Sequence, residues 1–371
     1  MSPRQHFGSV RQRAKLFEAS YWHNGRRHVG PTRFMSKTDA MAFLATVETD
    51  IRRGSWIDPE GGRIPVKELA TAWAESDPTK RESTTSREEL TLRLHVLPAI
   101  GGHRIEQVGP ADIQRLVNGW STKHAPRTVK RNYEVVRAMF GHAVRNEWLA
   151  RNPCRHIKLP PIETTRRYEL RPDDVKRIAA CVPVAYRPMI WIGGVLGLRW
   201  SEVAGLRVGR LDLPGSRIIV TEALTRGNGG RNVFGAPKSK AGQRTMSVPS
   251  ELVKMLSAHL ETVGLTRRDV DALVFTDEAG GSLRYSNWRR RVWLPAAKAA
   301  GCEGAGFHDL RGLNATTLVI GGVDVKTAQV RLGHADPRMT LAIYAAASAS
   351  ADRAASDLLG ERFFGPRVGS Q

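Results

Sequence analysis

Residues 307–344 read FHDLRGLNATTLVIGGVDVKTAQVRLGHADPRMTLAIY, and no other stretch constrains the chain so tightly. It places His308, Arg311, His334 and Tyr344 in an order that an ordinary helical core has no use for. His308 and Arg311 stand three apart, so a helix puts them on one face. His334 follows Leu332-Gly333, which reads as a helix end and a tight turn. Tyr344 comes ten residues later, inside the apolar run LAIYAAA. Singly, each residue fits a structural role. Together they suit a phosphodiester: a guanidinium grips two non-bridging oxygens, imidazoles donate hydrogen bonds or move protons, and a phenol can be the nucleophile.

The order H-x-L-R, then L-G-H, then Tyr resembles the C-terminal signature of the tyrosine recombinases, the phage-integrase family. The resemblance extends upstream, tightly over 190–345 and loosely before. That family has an arginine in G-L-R-x-x-E-hydrophobic, and here Gly197-Leu198-Arg199-Trp200-Ser201-Glu202-Val203 matches. It has a lysine on a β-hairpin between the two boxes, and Pro237-Lys238-Ser239-Lys240-Ala241-Gly242 fits. Lys238 stands in the text most like the catalytic position. Lys240, two residues on, would point the same way on a strand and is the alternative. One departure is Gly312-Leu313-Asn314, where related integrases often carry histidine or threonine. It touches no catalytic position.

Composition agrees on the partner. The formal charge is +21 over 371 residues, which points to a polyanion, most commonly nucleic acid, with an anionic membrane surface as the rival. No run of about 18 apolar residues suggests a membrane span. The N-terminus MSPRQHFGS has no signal-peptide core. Cys154, Cys181 and Cys302 are isolated, suit a reducing cytoplasm and form no metal motif. There is no P-loop, so nothing points to ATP. The length suits two or three domains.

In order, the first 37 residues carry eight Lys/Arg and one acid, Glu18. Loose alternation around Asn24-Gly25 predicts a hairpin, and Ser36 predicts the N-cap of a helix through Ala40, Phe43, Leu44, Val47 and Ile51. This small sheet plus helix, with Arg11, Arg13, Lys15, Arg26, Arg27 and Arg33, resembles the arm-type DNA-binding domain of lambda-like integrases. The Gly/Pro-rich 54–63 reads as a linker. Helical periodicity follows near 66–75, 87–97, 112–120 and 127–147, with a polar break at 79–86. In the last helix Val129, Tyr133, Val136, Phe140 and Val144 form one apolar stripe, and Lys130, Arg131, Arg137 and Arg145 lie off it. The four-helix region resembles the family's core-binding domain, whose task is to hold phosphates on one side of a duplex. After the basic, Pro-rich 152–167, a buried helix at 189–198 leads to the arginine box. Strand text at 217–221 and 244–248 flanks a Gly-rich loop, 252–260 is helical, and 287–292 (NWRRRV) opens a further helix.

The expected architecture is therefore α+β and multidomain. It comprises a small β-sheet-plus-helix domain (1–60), a helical core-binding domain (64–155) and a mainly α catalytic domain with a small sheet (165–371). The resemblance implies site-specific cleavage and rejoining of DNA attachment sites by a phage or prophage integrase. Tyr344 would form a 3′-phosphotyrosine that keeps the bond energy, so neither metal nor cofactor is expected. Arg199 and Arg311 would stabilise the charged phosphorane, His308 would accept a proton, His334 would donate to phosphate, and Glu202 would hold a catalytic side chain. A lysine would protonate the leaving 5′-hydroxyl. The family further implies a homotetramer on DNA, with the helix after Tyr344 docking on a neighbour. A host DNA-bending factor, an excisionase and a location in the host bacterial cytoplasm also follow. The rivals are an integrase of a conjugative transposon, a chromosome-dimer resolvase, a type IB topoisomerase and a non-enzymatic DNA-binding or architectural protein.

Overall fold

The computed structural model describes residues 7–163, 168–227, 231–237 and 240–343, with 356, 359, 362 and 363 beyond them. The chain divides into two compact units, Met1–Thr164 and Thr165–Gln371.

The first unit holds two apolar cores. In the first, strands β1 (Ser9–Arg13), β2 (Leu16–His23) and β3 (Arg26–Val29) form an antiparallel sheet in the order β1-β2-β3. The expected hairpin joins β2 to β3, with Asn24 and Gly25 both at positive φ, 49° and 73°. Helix α1 (Lys37–Arg53) covers one face, and the Ser36 hydroxyl accepts from the Asp39 N–H at 3.0 Å, the expected N-cap. Ala19, Tyr21, Ala40, Leu44, Val47 and Trp56 are buried between sheet and helix.

The second core lies among α2 (Val66–Glu75), α3 (Glu82–Thr91), α4 (Leu97–Ile100), α5 (Pro110–Ser121) and α6 (Pro126–Arg145). On α6, Val129, Tyr133, Val136 and Phe140 are buried as the stripe requires, and Ala143, not Val144, completes it. Two expectations fail here. The polar break ends early, since α3 already includes 82–86. The Ser86 hydroxyl donates to the Glu82 carbonyl at 2.8 Å, so its polar group is satisfied within the helix. The segment 54–63 is not a free linker either. Trp56 is buried in the first core, the Asp58 N–H donates to the Glu147 carbonyl at 2.9 Å, and Gly61 packs on Trp148 so closely that a Cβ would lie 2.5 Å from the ring. Its glycines serve close contact, not looseness.

The second unit is mainly helical. Helix α7 (Pro172–Cys181) is followed by α8 (Arg187–Trp191), which runs on through 192–196 and ends at Gly197 in the left-handed region. Short α9 (Trp200–Ala204) leads into β4 (Leu211–Asp212) and β5 (Arg217–Val220). A hairpin of β6 (Ala223–Arg226) and β7 (Asn232–Gly235) comes next, then β8 (Arg244–Ser247). The three-stranded sheet runs β4-β5-β8, with Ile218 opposite Met246. The β6–β7 hairpin was hidden in the Gly-rich text, because its strands are four residues each and carry little alternation. Helices α10 (Ser250–Thr262), α11 (Tyr285–Trp288), α12 (Leu294–Ala299), α13 (Phe307–Ile320) and α14 (Val325–Leu332) complete the unit. Residues 337–343 are helical. The core runs from Leu170 to Leu310, with Trp293 and Phe307 fully enclosed and in edge contact at 5.6 Å. Among the described residues no helix is long and apolar enough to cross a membrane.

Candidate active site

Three helix ends converge in the second unit: the turn 197–199 after α8, the first turns of α13, and the turn 333–334 after α14. Gly197 and Gly333 make both turns possible, at φ 66° and 61°. A Cβ on Gly333 would lie 2.9 Å from the Ala241 carbonyl and 3.0 Å from Arg244 Nη1, so the close approach also needs glycine.

Arg311, on α13, is 4% exposed. Its Nη1 donates to the Gly197 carbonyl at 2.7 Å, and its Nη2 donates to the Leu332 carbonyl. One guanidinium thus links both turns. Burial lowers its pKa to about 9, with Arg199 and Arg244 adding to the fall and Glu202 opposing it, and it remains cationic at neutral pH. Arg199 is the residue just before α9. Its backbone N–H donates to Glu202 Oε2 at 3.0 Å and its Nη1 to Glu202 Oε1 at 2.7 Å. The side chain remains one-third exposed, whereas Glu202 is 2% exposed. The two residues thus form an i, i+3 ion pair that is half-buried, with Glu202 holding Arg199.

His334 is buried. Its N–H donates to the Gln329 carbonyl at 3.1 Å, and its Nδ1 shares a 2.9 Å hydrogen bond with the Thr340 hydroxyl. Burial first, then Arg311, Arg199, His308 and Arg244, push its pKa down to about 4, so the ring is neutral at physiological pH. His308 is exposed at the start of α13. With Arg199, Trp200, Arg284, Tyr285 and Asn287 it lines a groove of about 540 Å³. Trp200 and Tyr285 meet edge to face at 5.0 Å in its wall.

The structure therefore brings Arg199, His308, Arg311 and His334 together. Lys238 and Tyr344 lie outside the described residues. Lys240 begins a 3₁₀ turn, Lys240–Gly242, so it does not lie on a strand. Gly242 packs on Pro237, where a Cβ would lie 2.4 Å from the ring. Sequence reasoning missed Arg244. Buried on β8, it donates through Nη2 to Glu202 Oε2 at 3.1 Å. Its signal was available: Arg244 is in phase with buried Met246 on a strand. Burial pushes the Glu202 carboxyl up, but Arg244, then the Arg199 N–H and guanidinium, hold it below the ordinary carboxylate range.

The predicted DNA-binding residues of the first unit are all exposed. Arg11, Arg13 and Arg27 pair across the sheet with Glu18, Leu16 and Trp22, so they share the face that α1 leaves open, beside a Trp22 that is 69% exposed. Lys15 sits in the β1–β2 turn, Arg26 has the opposite parity on β3, and Arg33 lies in the loop before α1. Lys130 and Arg131 are on the open side of α6.

Comparison with known proteins extends this picture along the chain. The model of the phage integrase family matches residues 169–351, that of the phage integrase central domain 66–159, and that of the phage integrase N-terminal domain 6–53. The integrase of Mycobacterium phage D29 is 30% identical over 367 residues, covering 94% of this chain and 95% of the relative. A putative prophage phiRv2 integrase of Mycobacterium tuberculosis is 28% identical over 369 residues, covering 96% of each. Among solved structures, the Tn1549 transposon integrase in complex with circular intermediate DNA superposes with a TM-score of 0.67 at 20% identity, over 80% of this chain and 100% of that one. A lambda integrase tetramer bound to a Holliday junction gives 0.56 at 15% identity, over 92% and 96%. These structures share the α+β multidomain fold. The match to the D29 integrase runs over 94% of this chain, far beyond the arginine–histidine corner: this chain belongs to the phage integrase family and is a site-specific tyrosine recombinase.

Proposed function

We propose that this recombinase breaks DNA by metal-free transesterification and serves to integrate and excise a phage or prophage genome at attachment sites. The Tyr344 oxygen bonds to the scissile phosphorus, the bond to the 5′ oxygen breaks, and the 3′ end stays on the tyrosine. Lys238 supplies the proton that the leaving 5′-hydroxyl takes up, and rejoining runs the same steps backward with another strand's hydroxyl. Arg199 and Arg311 face the non-bridging oxygens and hold the charge that develops on them. His334 acts as a neutral donor. With Nδ1 accepting from Thr340, its Nε2–H is free for phosphate. His308, exposed at the groove, takes the phenolic proton.

The observation that carries this reading is Arg311. A buried cation is costly unless it is paired, and among the described residues this one is bound only to two main-chain carbonyls, Gly197 and Leu332. The nearby carboxylate, Glu202, is engaged by two other arginines. An anion docking against Arg199 and Arg311 completes the charge balance, and a phosphodiester has the right shape for two forked donors.

Residues 1–60 would bind arm-type sites, 64–155 would grip the core site, and 165–371 would cut. The basic face of Arg11, Arg13 and Arg27 supports the first role, and exposed Lys130 and Arg131 support the second. By analogy with the lambda integrase tetramer on a Holliday junction, the working form is a homotetramer on two duplexes in the bacterial cytoplasm. A host bending factor and an excisionase would set direction. The phage role is preferred over the transposon role because the whole-length relatives are phage and prophage integrases, whereas the Tn1549 likeness shows the fold alone. The test is recombination between phage and bacterial attachment-site duplexes with host extract, EDTA and no nucleotide. Joined products support the reading, and their absence until a divalent metal or ATP is added would sink it.

A further inference from the structure

Three guanidiniums crowd this corner, and among the described residues Glu202 is the carboxylate that two of them share. Arg199 reaches the groove and Arg311 spans two turns, but Arg244 behaves differently. Its side chain is 3% exposed. Its Nε donates to the Arg331 carbonyl at 2.7 Å, its Nη1 to the Gly242 carbonyl at 2.9 Å, and its Nη2 to Glu202 Oε2 at 3.1 Å, with Nη1 also 3.5 Å from Glu202 Oε1. Every arm of the fork is engaged by protein, so Arg244 is not a phosphate ligand. Its partners are the acid that orients Arg199, the turn that follows Pro237-Lys238, and the last turn of the helix before His334. Those are three of the parts that the cleavage reaction needs in register.

Charge gives a second argument. Glu202 orients Arg199 through two hydrogen bonds, but alone it would also cancel the positive charge that Arg199 brings to the groove. Arg244 neutralises the same carboxylate from behind. Arg199 is then held in place without losing its pull on an anion.

We propose that Arg244 is a positioning residue for strand cleavage. Through Glu202 it fixes Arg199 and leaves its charge available. Through the Gly242 and Arg331 carbonyls it ties the Lys240–Gly242 turn and the approach to His334 to the same anchor. This rests on the transesterification reading above.

The test times formation of the covalent protein–DNA adduct on a nicked attachment-site duplex for wild type, Arg244→Gln, Glu202→Gln and the double variant. DNA affinity and thermal melting are measured alongside. Arg244→Gln should slow adduct formation about 10²-fold, the usual effect of misplacing a reacting group by about an ångström, with DNA affinity unchanged. Because Arg244 acts on Arg199 through Glu202, the double variant should lose clearly less than the product of the two single losses, and fully multiplied losses would overturn the proposal. The pH profile is a readout that a merely structural role would not move. Glu202 faces Arg199 from the residue before α9, Arg244 from β8 and Arg311 from α13. Without Arg244 its carboxyl protonates more readily, so the rate of the variant should begin to fall at a higher pH than that of wild type, and a parallel profile counts against the proposal. If Arg244→Gln fails to fold, Arg244→Lys takes its place, since an ammonium keeps the charge but cannot span three acceptors. Either variant cleaving at the wild-type rate overturns the proposal. A wild type that forms no adduct brings down the transesterification reading itself, which distinguishes the two failures.

Discussion

The arginines at the two ends of this chain stand in opposite settings. On the N-terminal sheet, Arg11, Arg13 and Arg27 stand exposed on an open face, and Arg27 is 4.0 Å from the nearest carboxylate oxygen, that of Glu18. At the recombinase corner, Arg311 and Arg244 are buried, and each is bonded to main-chain carbonyls that fix its plane. Exposed arginines attract a polyanion from any direction and lose that attraction as salt rises. Buried, locked arginines preform a geometry: Arg311 would face one phosphate and Arg244 would hold the parts around it, which matters in the transition state more than in binding. On the proposed function, the same residue type would yield affinity in one region and rate in the other.

Arg311→Lys should break the second half of that comparison most severely. An ammonium cannot reach both the Gly197 and Leu332 carbonyls and still face phosphate. Adduct formation on a nicked core duplex should fall about 10²–10³-fold, the usual cost of one preorganised donor, while gel-shift affinity stays near wild type. Equal losses in both would mean the corner merely binds DNA.

The first half is addressed by Arg11→Ala, Arg13→Ala and Arg27→Ala combined. Binding of arm-site DNA should weaken, and the slope of log affinity against log salt should become shallower by about 0.9 for each phosphate that is no longer neutralised. Cleavage of the core duplex should not change. An unchanged salt slope would remove this face from the DNA interface.

The smallest effect concerns His334. Its folded pKa lies at about 4 against an ordinary 6.5, so the unfolded chain takes up this proton first as pH falls. The stability it contributes is complete above pH 6.5 and is lost as pH drops toward 4. His334→Gln should flatten the dependence of melting temperature on pH in that window, and a variant as acid-sensitive as wild type would contradict a buried neutral imidazole.

How much of this was legible in the sequence differs by region for the same physical reason. Local signals were readable: the Ser36 cap, the Asn24-Gly25 turn and the α6 stripe each depend on neighbours within a few residues. So were the residues that must cluster, Arg199, His308, Arg311 and His334, because their motif spacing resembled that of a known family. What lay beyond reach depends on contacts distant in sequence. Arg244 meets Glu202 across 42 positions, and Gly61 is packed by Trp148, not set free by being glycine. The β6–β7 hairpin was obscured by short strands, and the turn at 240–242 by a pattern that reads equally well as strand.

The central claim is that Tyr344 is the covalent nucleophile, and one experiment reaches it directly. A nicked attachment-site duplex that sheds a short fragment on cleavage traps the intermediate, and peptide mass spectrometry locates the attached phosphate. Wild type should give a denaturation-resistant adduct with phosphate on Tyr344. Tyr344→Phe should bind the same duplex and give no adduct. An adduct that persists in the Phe variant, or a phosphate mapped to Tyr285 at the rim of the groove, would contradict the account.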